Sequence, residues 1–512
     1  MKLFTTPQIK TLDAYTIAHE PISSLDLMER ASVAISDWLL KYFDTPQPIT
    51  VVAGSGNNGG DGLAVARLLA TCGFEVEVVL VNPNGKLSAD CEINKQRLIE
   101  QGRVRLVETQ YLASLNNPHY ETKQWKETQC IASLQNTKSE FIIDALFGSG
   151  LNRPLDGEYA AVVKTINESN AKVISIDIPS GLFGEDNSTN NPDAIVKADI
   201  TLTLQFPKIA FFFPKNEDYV GEFHVIDIGI HPEAISSTNS PYFLTDTESA
   251  PPLKVRGKFS HKGTYGHALF IGGSYGKMGA AVLASRACLR TGVGLLTVHT
   301  PECGVNILQT AVPEAMCLPD KEHSYVSLLT EDVSPYSAIG IGCGLGTEPE
   351  TSKVLKRVFE EATQPLVLDA DALNILSTHP EWMDLIPKNT IITPHPKEFE
   401  RLTGPYNNRF EQIEIARIFS KKHTIFVVLK GAYTAVVCPD GEVHFNSSGN
   451  PGMAKGGSGD ILCGMILSLL AQAYSPKESA ILGVFLHGKA GDDAAANFGQ
   501  TEMIAGDIIE EI

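Results

Sequence analysis

Short apolar runs that end in an aspartate or a glycine-rich turn recur along the chain, and this pattern constrains the fold most. The run Ile49–Ala53 is followed by a glycine-rich loop, a helix-like segment at Leu63–Leu69 and the β-rich run Val76–Val81. A strand, a helix and a second strand in this order indicate a βαβ unit, whose strands are parallel. The sequence therefore predicts an α/β protein with ligands at the carboxyl edge of a parallel sheet.

The rhythm of strands and helices covers both halves of the chain. It begins with an amphipathic helix at Leu25–Phe43, preceded by the capping-box pattern of Ser23 and Asp26. Strands are predicted at 141–143, 173–176, 200–204 and 223–226 in the first half, and at 267–271, 295–299, 338–341, 366–368, 390–392, 425–429 and 435–437 in the second. The Ser-, Thr-, Asn- and Pro-rich segment His231–Val255 interrupts this rhythm and is predicted to be a linker.

A length of 512 residues agrees with two domains. We expect an N-terminal, Rossmann-like three-layer α/β/α sandwich over residues 1–235 and a second α/β domain over residues 236–512. The boundary is expected near Ser236–Leu244, inside the linker.

Charge and cysteine usage limit the partners and the compartment. Lys and Arg total 41 against 60 Asp and Glu, a net charge of −19, which disfavours nucleic acid and anionic lipid as partners. Nine cysteines, an odd number without a Cys-x-x-Cys pair, fit free thiols in a reducing cytoplasm. The N-terminus lacks an apolar signal core and the apolar stretch Ile461–Ala471 is too short to span a bilayer, so we expect a cytoplasmic protein with no membrane contact.

The first glycine-rich loop, Gly54–Gly62, contains Gly-x-Gly-x-x-Gly between a strand and a helix. Two features disfavour an ordinary hydride-transfer site. Asp61 lies inside the loop, where a carboxylate repels pyrophosphate, and the position that normally carries a ribose-binding acid is near Asn82. Backbone N–H groups and a helix N-terminus still favour contact with a nucleotide or phosphate.

Three strand ends of the first domain bring oxygen ligands to one edge of the sheet. Their polar residues are Asn57, Asn58, Asp61, Asp144, Asp177 and Ser180. An amide, few carboxylates and a hydroxyl suit a weakly held hard cation better than zinc. The alternative is that the acids cap loops and helices, which any one of them alone would favour.

The segment Asn450–Gly464 carries the strongest signal in the second domain. Its glycines and Asp460 open an apolar helix, so backbone N–H groups can hold a transferring phosphoryl group while Asp460 accepts a hydroxyl proton. The alternative for Asp460 is a helix N-cap. The glycine loops Gly272–Ala281 and Gly342–Gly346 would let a ligand approach the backbone closely.

Other polar residues of the second domain are weaker signals. Lys430–Thr434 follows a strand and is either a nucleotide-phosphate contact or an ordinary turn. His395 lies at a strand end between two prolines, where a structural role is the usual one. Asp369 and Asp371 are equally compatible with water-mediated magnesium binding and with loop capping.

The first-domain motifs resemble the NAD(P)H-hydrate epimerase domain over essentially residues 1–230. The resemblance implies that Asp177 assists departure and return of a ring hydroxyl. It also implies potassium held by Asn58, Asp144 and Ser180. The substrate contacts that it implies are Asn57, Asn58, Gly59, Gly60, Asp61, Gly148, Ser149, Gly150, Leu151, Asn152, Arg153, Pro154 and Asp177.

The second-domain motifs resemble the ribokinase-like, ADP- or ATP-dependent NAD(P)H-hydrate dehydratase. The resemblance implies that Asp460 is the base and contacts the hydrate together with Ala281, Gly344 and His395. The nucleotide contacts that it implies are Lys430, Gly431, Ala432, Tyr433, Thr434 and Gly459. Sugar kinases usually carry an Asp-Thr pair where this chain has Ala454 and Lys455, which disfavours sugar phosphorylation.

Taken together, the chain resembles the bifunctional NAD(P)H-hydrate repair enzymes. The resemblance implies the substrates NADHX and NADPHX, with ADP or ATP as phosphoryl donor, Mg²⁺ in the second domain, K⁺ in the first, and a homo-oligomer. Two other classes remain open: a ribokinase-like small-molecule kinase fused to a non-catalytic nucleotide-binding regulatory domain, and a nucleotide-sensing scaffold without turnover.

Overall fold

A computed structural model describes residues 1–108, 129–135 and 139–512, which form two compact units. One unit is Lys2–Ser240, and the other is Met1 together with Pro241–Ile512. We refer to them as the N-terminal and the C-terminal unit. Their division after Ser240 falls inside the segment in which the sequence predicts the boundary.

The N-terminal unit alternates strands with helices. Its strands are β1 (Lys2–Leu3), β2 (Ile49–Ala53), β3 (Val76–Leu80), β4 (Arg105–Glu108), β5 (Phe141–Ala145), β6 (Lys172–Ile176), β7 (Ile200–Leu204) and β8 (Glu222–Ile226). Its helices are α1 (Thr6–His19), α2 (Ser24–Tyr42), α3 (Asn57–Thr71), α4 (Ala89–Gln101), α5 (Gln129–Gln135), α6 (Gly157–Glu168), α7 (Glu217–Val220) and α8 (Pro232–Ser237).

The seven strands β2–β8 form one parallel sheet in the order β4-β3-β2-β5-β6-β7-β8. Alternate residues of each strand pack into different clusters: Val51 and Ile143 lie with the first four helices, whereas Val52 and Ile142 lie with α6. Helices therefore cover both faces, which confirms the predicted three-layer α/β/α sandwich.

Helix α3 corrects the predicted glycine-rich loop, because it begins at Asn57 rather than at Leu63. The glycines of its first turns allow very close packing instead of a loop conformation. A Cβ on Gly59 would lie 1.8 Å from the carbonyl oxygen of Gly54, and one on Gly62 would lie 2.5 Å from the Cβ of Ala145. The helix therefore starts directly against the sheet.

The C-terminal unit repeats the α/β pattern with a longer sheet. Its strands are β9 (Tyr242–Thr245), β10 (His267–Ile271), β11 (Leu295–Thr300), β12 (Met316–Pro319), β13 (Ala338–Ile341), β14 (Leu366–Leu368), β15 (Ile391–Ile392), β16 (Phe426–Leu429), β17 (Ala435–Val437) and β18 (Val443–Asn446). Its helices are α9 (Met278–Arg290), α10 (Glu302–Ala311), α11 (Pro349–Glu361), α12 (Asp371–Thr378), α13 (Pro396–Thr403), α14 (Arg409–His423), α15 (Ser458–Ala471), α16 (Pro476–Phe498) and α17 (Ala505–Glu510).

Within this unit the strand order is β9-β18-β17-β16-β15-β14-β13-β10-β11-β12. The strands from β16 to β12 in this order run parallel, whereas β17 pairs antiparallel with both β16 and β18. The carboxyl ends of β10, β13, β14, β15 and β16 therefore lie along one edge. Among the described residues, no helix combines the length and the apolar character that a membrane span requires.

The packing of α3 yields a stability prediction. Gly59→Ala must displace backbone because of the 1.8 Å approach, and overpacking of this kind costs about 1–3 kcal/mol. Gly56→Ala, at the N-cap of the same helix, has open space and is the matched control. Calorimetry of the full chain should show a transition lowered by roughly 2–12 °C for Gly59→Ala and by far less for Gly56→Ala. Equal shifts would contradict the packing argument.

Candidate active sites

The sheet of the N-terminal unit opens a crevice where its winding reverses, between β2 and β5. The chain leaves β2 through Asn57 and Asn58 at the start of α3, and Asp144 lies at the end of β5. Asp177 directly follows β6. The three strand ends singled out in the sequence are thus neighbours at one edge.

Asp177 forms a buried ion pair that the sequence does not reveal. Its Oδ1 lies 2.6 Å from Nζ of Lys208, and the two side chains are 10% and 1% exposed. The backbone N–H of Ser149 donates to Oδ2 at 2.9 Å. Burial alone would raise the pKa of Asp177, but Lys208 and Ser149 hold it below its ordinary value. Asp177 is therefore a carboxylate at neutral pH.

The backbone of Asp177 is also unusual. Its φ of 68° lies in the left-handed region, which few non-glycine residues adopt. Its N–H donates to the carbonyl oxygen of Leu202 on the neighbouring strand at 2.8 Å, which fixes this conformation. A residue held in such a conformation at a strand end is typical of a functional site.

Asp144 is fully buried and fully hydrogen-bonded. Its oxygens accept from the hydroxyl of Ser180 at 2.6 Å, the backbone N–H of Ser180 at 2.8 Å, the hydroxyl of Ser175 at 2.8 Å and the N–H of Leu146 at 3.2 Å. Burial raises the pKa of Asp144, and these hydrogen bonds oppose the rise. The hydroxyl of Ser180 also accepts from the N–H of Phe147 at 2.8 Å, so Ser180 joins Asp144 to the second glycine-rich turn.

Gly148 brings Asn58 and Asp177 together. A Cβ on Gly148 would lie 3.0 Å from Oδ2 of Asp177 and 3.3 Å from Oδ1 of Asn58, so a side chain here would crowd both groups. Within the described ranges, the buried Nδ2 of Asn58 has no hydrogen-bond partner. Asn58, Asp144 and Ser180 offer an amide, a carboxylate and a hydroxyl oxygen, a donor set that fits a weakly held alkali cation.

The pKa of Asp61 differs from that of an ordinary aspartate. The residue lies in the first turns of α3, and burial raises its pKa well above the ordinary value, helped by the charges of Asp177 and Asp13. Burial therefore favours the protonated carboxyl, which repels an anion less than an ionised group would. The segment Gly150–Pro154 lies at the rim, partly or fully exposed.

A second buried ion pair lies in the C-terminal unit. Nζ of Lys430, just after β16, is 2.7 Å from Oδ1 of Asp369, just after β14. A Cβ on Gly459 would lie 3.4 Å from the same Nζ. Lys430 is therefore held by Asp369 at the start of α15, where its charge adds to the positive end of the helix.

Asp460 occupies the first turn of α15, which starts after Gly457 in the left-handed conformation with a φ of 99°. Burial raises the pKa of Asp460 to about 6, the charge of Asp369 adds to the rise, and Cys343 and Lys430 oppose it. A carboxylate with a pKa near neutrality is suited to accept a proton. Asp460 therefore combines a helix N-terminus, a nearby lysine and a raised pKa.

Two buried cysteines, Cys343 and Cys463, lie close to Asp369. The ligand atoms of Cys343, Asp369 and Cys463 all lie within 4.8 Å of one another. Sγ of Cys343 is 3.8 Å from Oδ2 of Asp369. Cys463 and burial raise the pKa of the Cys343 thiol well above its ordinary value. Cys343 is therefore a neutral thiol. The side chain of Cys130 lies outside those that the structure describes, and the other eight cysteines are free thiols.

The remaining predicted residues of this unit occupy different places. His395 caps α13, and its Nδ1 accepts from the N–H groups of Lys397 and Glu398. Ala281 is fully buried in α9, and Gly344 follows β13 with a φ of 63°. The hydroxyl of Thr434 donates to the carbonyl oxygen of Gly431 at 3.0 Å, which closes the turn that also contains Ala432 and Tyr433.

The contacts of three charged residues, Lys455, Asp371 and Arg409, show which of them are free to contact a ligand. Nζ of Lys455 donates to the carbonyl oxygens of Thr501 and Met503, so this lysine is used within the fold. Oδ2 of Asp371 accepts from the N–H of Gly346 at 2.8 Å, a loop-capping contact. Sequence reasoning missed Arg409, whose Nη2 would lie 3.6 Å from a Cβ on Gly431.

The missed residues had weak signals. Lys208 lies in an apolar stretch after β7, between Phe206 and Phe211, where a lysine is unusual and needs a partner. Arg409 follows Asn408, a helix N-cap, and looks like an ordinary surface residue. Helix α1, which carries Lys10 and Asp13, does not gather its apolar residues on one face.

Two family models match the chain. The model described as NAD(P)H-hydrate dehydratase matches residues 268–512, and the model described as YjeF-related protein N-terminus matches residues 24–210. The dehydratase model covers the C-terminal sheet from β10 onward. The YjeF-related model covers the strand ends around Asp144 and Asp177.

Curated proteins match over the whole length. A bifunctional NAD(P)H-hydrate repair enzyme of Moorella thermoacetica is 32% identical, covering 100% of this chain and 96% of its own length. The enzyme of the same name from Thermofilum pendens is 33% identical, covering 98% and 93%. A crystal structure of a Bacillus subtilis ADP/ATP-dependent NAD(P)H-hydrate dehydratase, co-crystallised with ATP and Mg²⁺, is 33% identical and covers 51% of this chain and 91% of its own, with a TM-score of 0.45.

The buried ion pair of the N-terminal unit yields a second prediction. Lys208→Met leaves the buried carboxylate of Asp177 without its partner, which costs about 3–5 kcal/mol. The folded-state pKa of Asp177 then rises, so the loss is largest at neutral pH and shrinks as the pH falls and the carboxyl takes up a proton. Calorimetry across pH checks this, with the exposed Lys197→Met as control. A loss that does not depend on pH would contradict the ion-pair argument.

Proposed function

The chain belongs to the bifunctional NAD(P)H-hydrate repair enzymes, and we propose that its two units carry out two reactions on the same damaged coenzyme. The N-terminal unit interconverts the R and S epimers of hydrated NADH and NADPH. The C-terminal unit dehydrates the S epimer at the expense of ADP or ATP. Together they return both epimers to NAD(P)H.

In the epimerisation, the hydroxyl on C6 of the nicotinamide ring leaves one face and water adds to the other. The ring nitrogen supplies the electron pair, so the transient ring carries a positive charge. Asp177, held ionised by Lys208 and Ser149, stabilises that charge and assists the hydroxyl. The segments Asn57–Asp61 and Gly148–Pro154 flank Asp177 and form the substrate site.

The cation site of the N-terminal unit is proposed for K⁺, with Asn58, Asp144 and Ser180 as ligands. Its support is the all-oxygen donor set and the cost of burying Asp144, which a cation would offset. A bound cation would fix the loop that carries Phe147 and Gly148, because Ser180 is bonded to that loop.

The proposal that the C-terminal unit dehydrates the S epimer rests on one observation, the position of Asp460 near Lys430 at the start of α15. Asp460 takes the proton from the C6 hydroxyl as the oxygen attacks the terminal phosphoryl group of the nucleotide. The backbone N–H groups of the Gly456–Gly459 turn and Lys430 hold the transferring group. The bond between the terminal phosphorus and its bridging oxygen breaks, and ADP leaves when ATP is the donor, or AMP when ADP is. The ring nitrogen then supplies the electron pair that breaks the C6–O bond, and phosphate leaves. Transfer of a proton from C5 to water restores the ring double bond.

The nucleotide is proposed to lie over the turn Lys430–Thr434 and Gly459, with Arg409 as a further contact. Mg²⁺ neutralises charge on the phosphates when it is bound. Asp369 and Asp371 are the carboxylates that could hold it through water, although both already accept hydrogen bonds. The hydrate is proposed to contact Ala281, Gly344 and His395, across from the nucleotide.

The location, the small-molecule partners and the oligomeric state complete the proposal. A cytoplasmic location agrees with eight free cysteines among the described side chains. NADHX, NADPHX and the nucleotide are the proposed small-molecule partners. A homo-oligomer stays a prediction, which analytical ultracentrifugation of the full chain would test.

The assignment of Asp460 is tested by Asp460→Asn, with the exposed Asp493→Asn on α16 as matched control. We expect dehydration to fall about 10²- to 10⁴-fold in Asp460→Asn, while epimerisation and the control keep wild-type rates. The wild-type dehydration rate should rise with pH through about 6, because the base must lose its proton. Recovery of reduced-nicotinamide absorbance and phosphate release measure the reaction.

Three results would contradict this proposal. Loss of both activities in Asp460→Asn would contradict the assignment of one reaction to each unit. Unchanged dehydration in that variant would remove Asp460 as the base. A stable phosphorylated product without phosphate release would identify the protein as a small-molecule kinase instead.

The cation site is tested by thermal unfolding of the full chain in K⁺ and in tetramethylammonium at equal ionic strength. A tenfold excess of K⁺ over its Kd gives about 1.4 kcal/mol, or roughly 3–6 °C. Asn58→Ala should abolish this rise, whereas the neighbouring, exposed Asn57→Ala should retain it. An equal rise in both salts would contradict a specific site.

A further inference from the structure

Helix α1 borders the N-terminal site, although it precedes the residues 24–210 that the family model matches. Thr6, Lys10 and Asp13 are spaced i, i+4 and i+7 and therefore share one face of the helix. Leu12 and Thr16 are buried and anchor α1 in the core of this unit. The polar face of α1 is thus held in a fixed position.

The first two turns of this face lie against the loops that follow β5 and β6. The backbone N–H of Thr6 donates to Oε1 of Glu185 at 2.6 Å, and a Cβ on Gly184 would lie 2.6 Å from Oγ1 of Thr6. A Cβ on Gly150 would lie 3.7 Å from Nζ of Lys10. Both loops contain residues of the epimerisation site, so α1 forms a wall of that site.

Asp13, in the third turn and on the same face of α1 as Lys10, lies within electrostatic reach of Asp177 and Lys208. It is half-buried. Burial raises the pKa of Asp13 to about 6, the charge of Asp177 adds to the rise, and Lys208 opposes it. Asp61 also lies within electrostatic reach of Asp13. Asp13 therefore gains and loses its proton near pH 6, whereas Asp177 stays ionised there, and two carboxyl groups with such separated pKa values are the usual arrangement of a catalytic acid and a catalytic base.

We propose that Asp13 is the catalytic acid of the epimerisation and acts on the ring hydroxyl from the α1 side, opposite Asp177. The inference rests on the proposed function of the N-terminal unit. It adds a group that the motifs do not contain, because α1 lies before the first of them.

The proton balance requires two groups. Asp13 gives its proton to the C6 oxygen as the C6–O bond breaks, and water leaves while the ring nitrogen supplies the electron pair. A second water molecule forms the new C6–O bond on the other face, and its proton passes to Asp177. In the reverse direction the two residues exchange roles, so no external oxidant or reductant is needed.

Asp61 is the competing acid. It is buried in the first turns of α3, whereas Asp13 is only half-buried and reaches solvent more easily. An acid that turns over must regain its proton from water after each cycle, and Asp13 can do so directly. The position therefore favours Asp13 over Asp61.

The test compares Asp13→Asn with Asp37→Asn, an exposed aspartate on α2. Interconversion of purified R and S hydrates is followed after subtraction of the rate without enzyme. We expect epimerisation to fall at least about 100-fold in Asp13→Asn, with dehydration of the S hydrate and the thermal midpoint unchanged. The Asp37→Asn control should keep wild-type rates. A less than threefold loss in a folded Asp13→Asn protein would overturn the proposal.

The pH profile of the epimerisation rate gives a second readout, and its wild-type part needs no variant. Because the acid must carry its proton, the wild-type epimerisation rate should fall as the pH rises through about 6. Asp13→Glu should retain part of the activity and move this limb, and Asp13→Asn should lose it. A wild-type rate that stays constant across this range would overturn the proposal.

The two levels of inference fail differently. A wild-type protein that does not interconvert the hydrates at all would overturn the proposed function itself. A wild-type protein that does, together with an active Asp13→Asn, would overturn only the role of Asp13.

Discussion

A carboxylate that is buried at a sheet edge needs hydrogen bonds or a positive charge to offset the loss of water, and in both units a lysine supplies that charge to one aspartate. Asp177 pairs with Lys208 at 2.6 Å, and Asp369 pairs with Lys430 at 2.7 Å. In each pair the aspartate follows one parallel strand and the lysine lies beyond the end of another. The parallel sheet brings the two partners together, although they are distant in sequence.

Each ion pair also creates a contrast with a neighbouring carboxyl. The charge of Asp177 helps to raise the pKa of Asp13 to about 6, and the charge of Asp369 helps to raise that of Asp460 to about 6. Burial is the larger cause in both cases. In each unit a carboxyl with a pKa of about 6 therefore lies within electrostatic reach of an ion-paired aspartate, and a carboxyl with such a pKa can exchange protons close to neutral pH.

The sequence predicted most of the central strands, but it missed β4, β12 and β18, and it missed β9 inside the segment predicted to be a linker. The helices near the sites were predicted less well. Apolar runs such as Ile200–Leu204 and His267–Ile271 are strands with the predicted bounds, because buried parallel strands are almost continuously apolar. The glycines of 57–62 indicate a loop by propensity, but close packing against the sheet makes them helical. Lys208 and Asp13 were missed because their roles depend on contacts between segments that are far apart in the chain.

The two lysines differ in one respect that has a practical consequence. The side chain of Lys430 is 21% exposed, whereas that of Lys208 is 1% exposed. A ligand that arrives from solvent can therefore touch part of the Lys430 side chain, whereas Lys208 is sealed inside the protein and can influence a bound molecule only through Asp177.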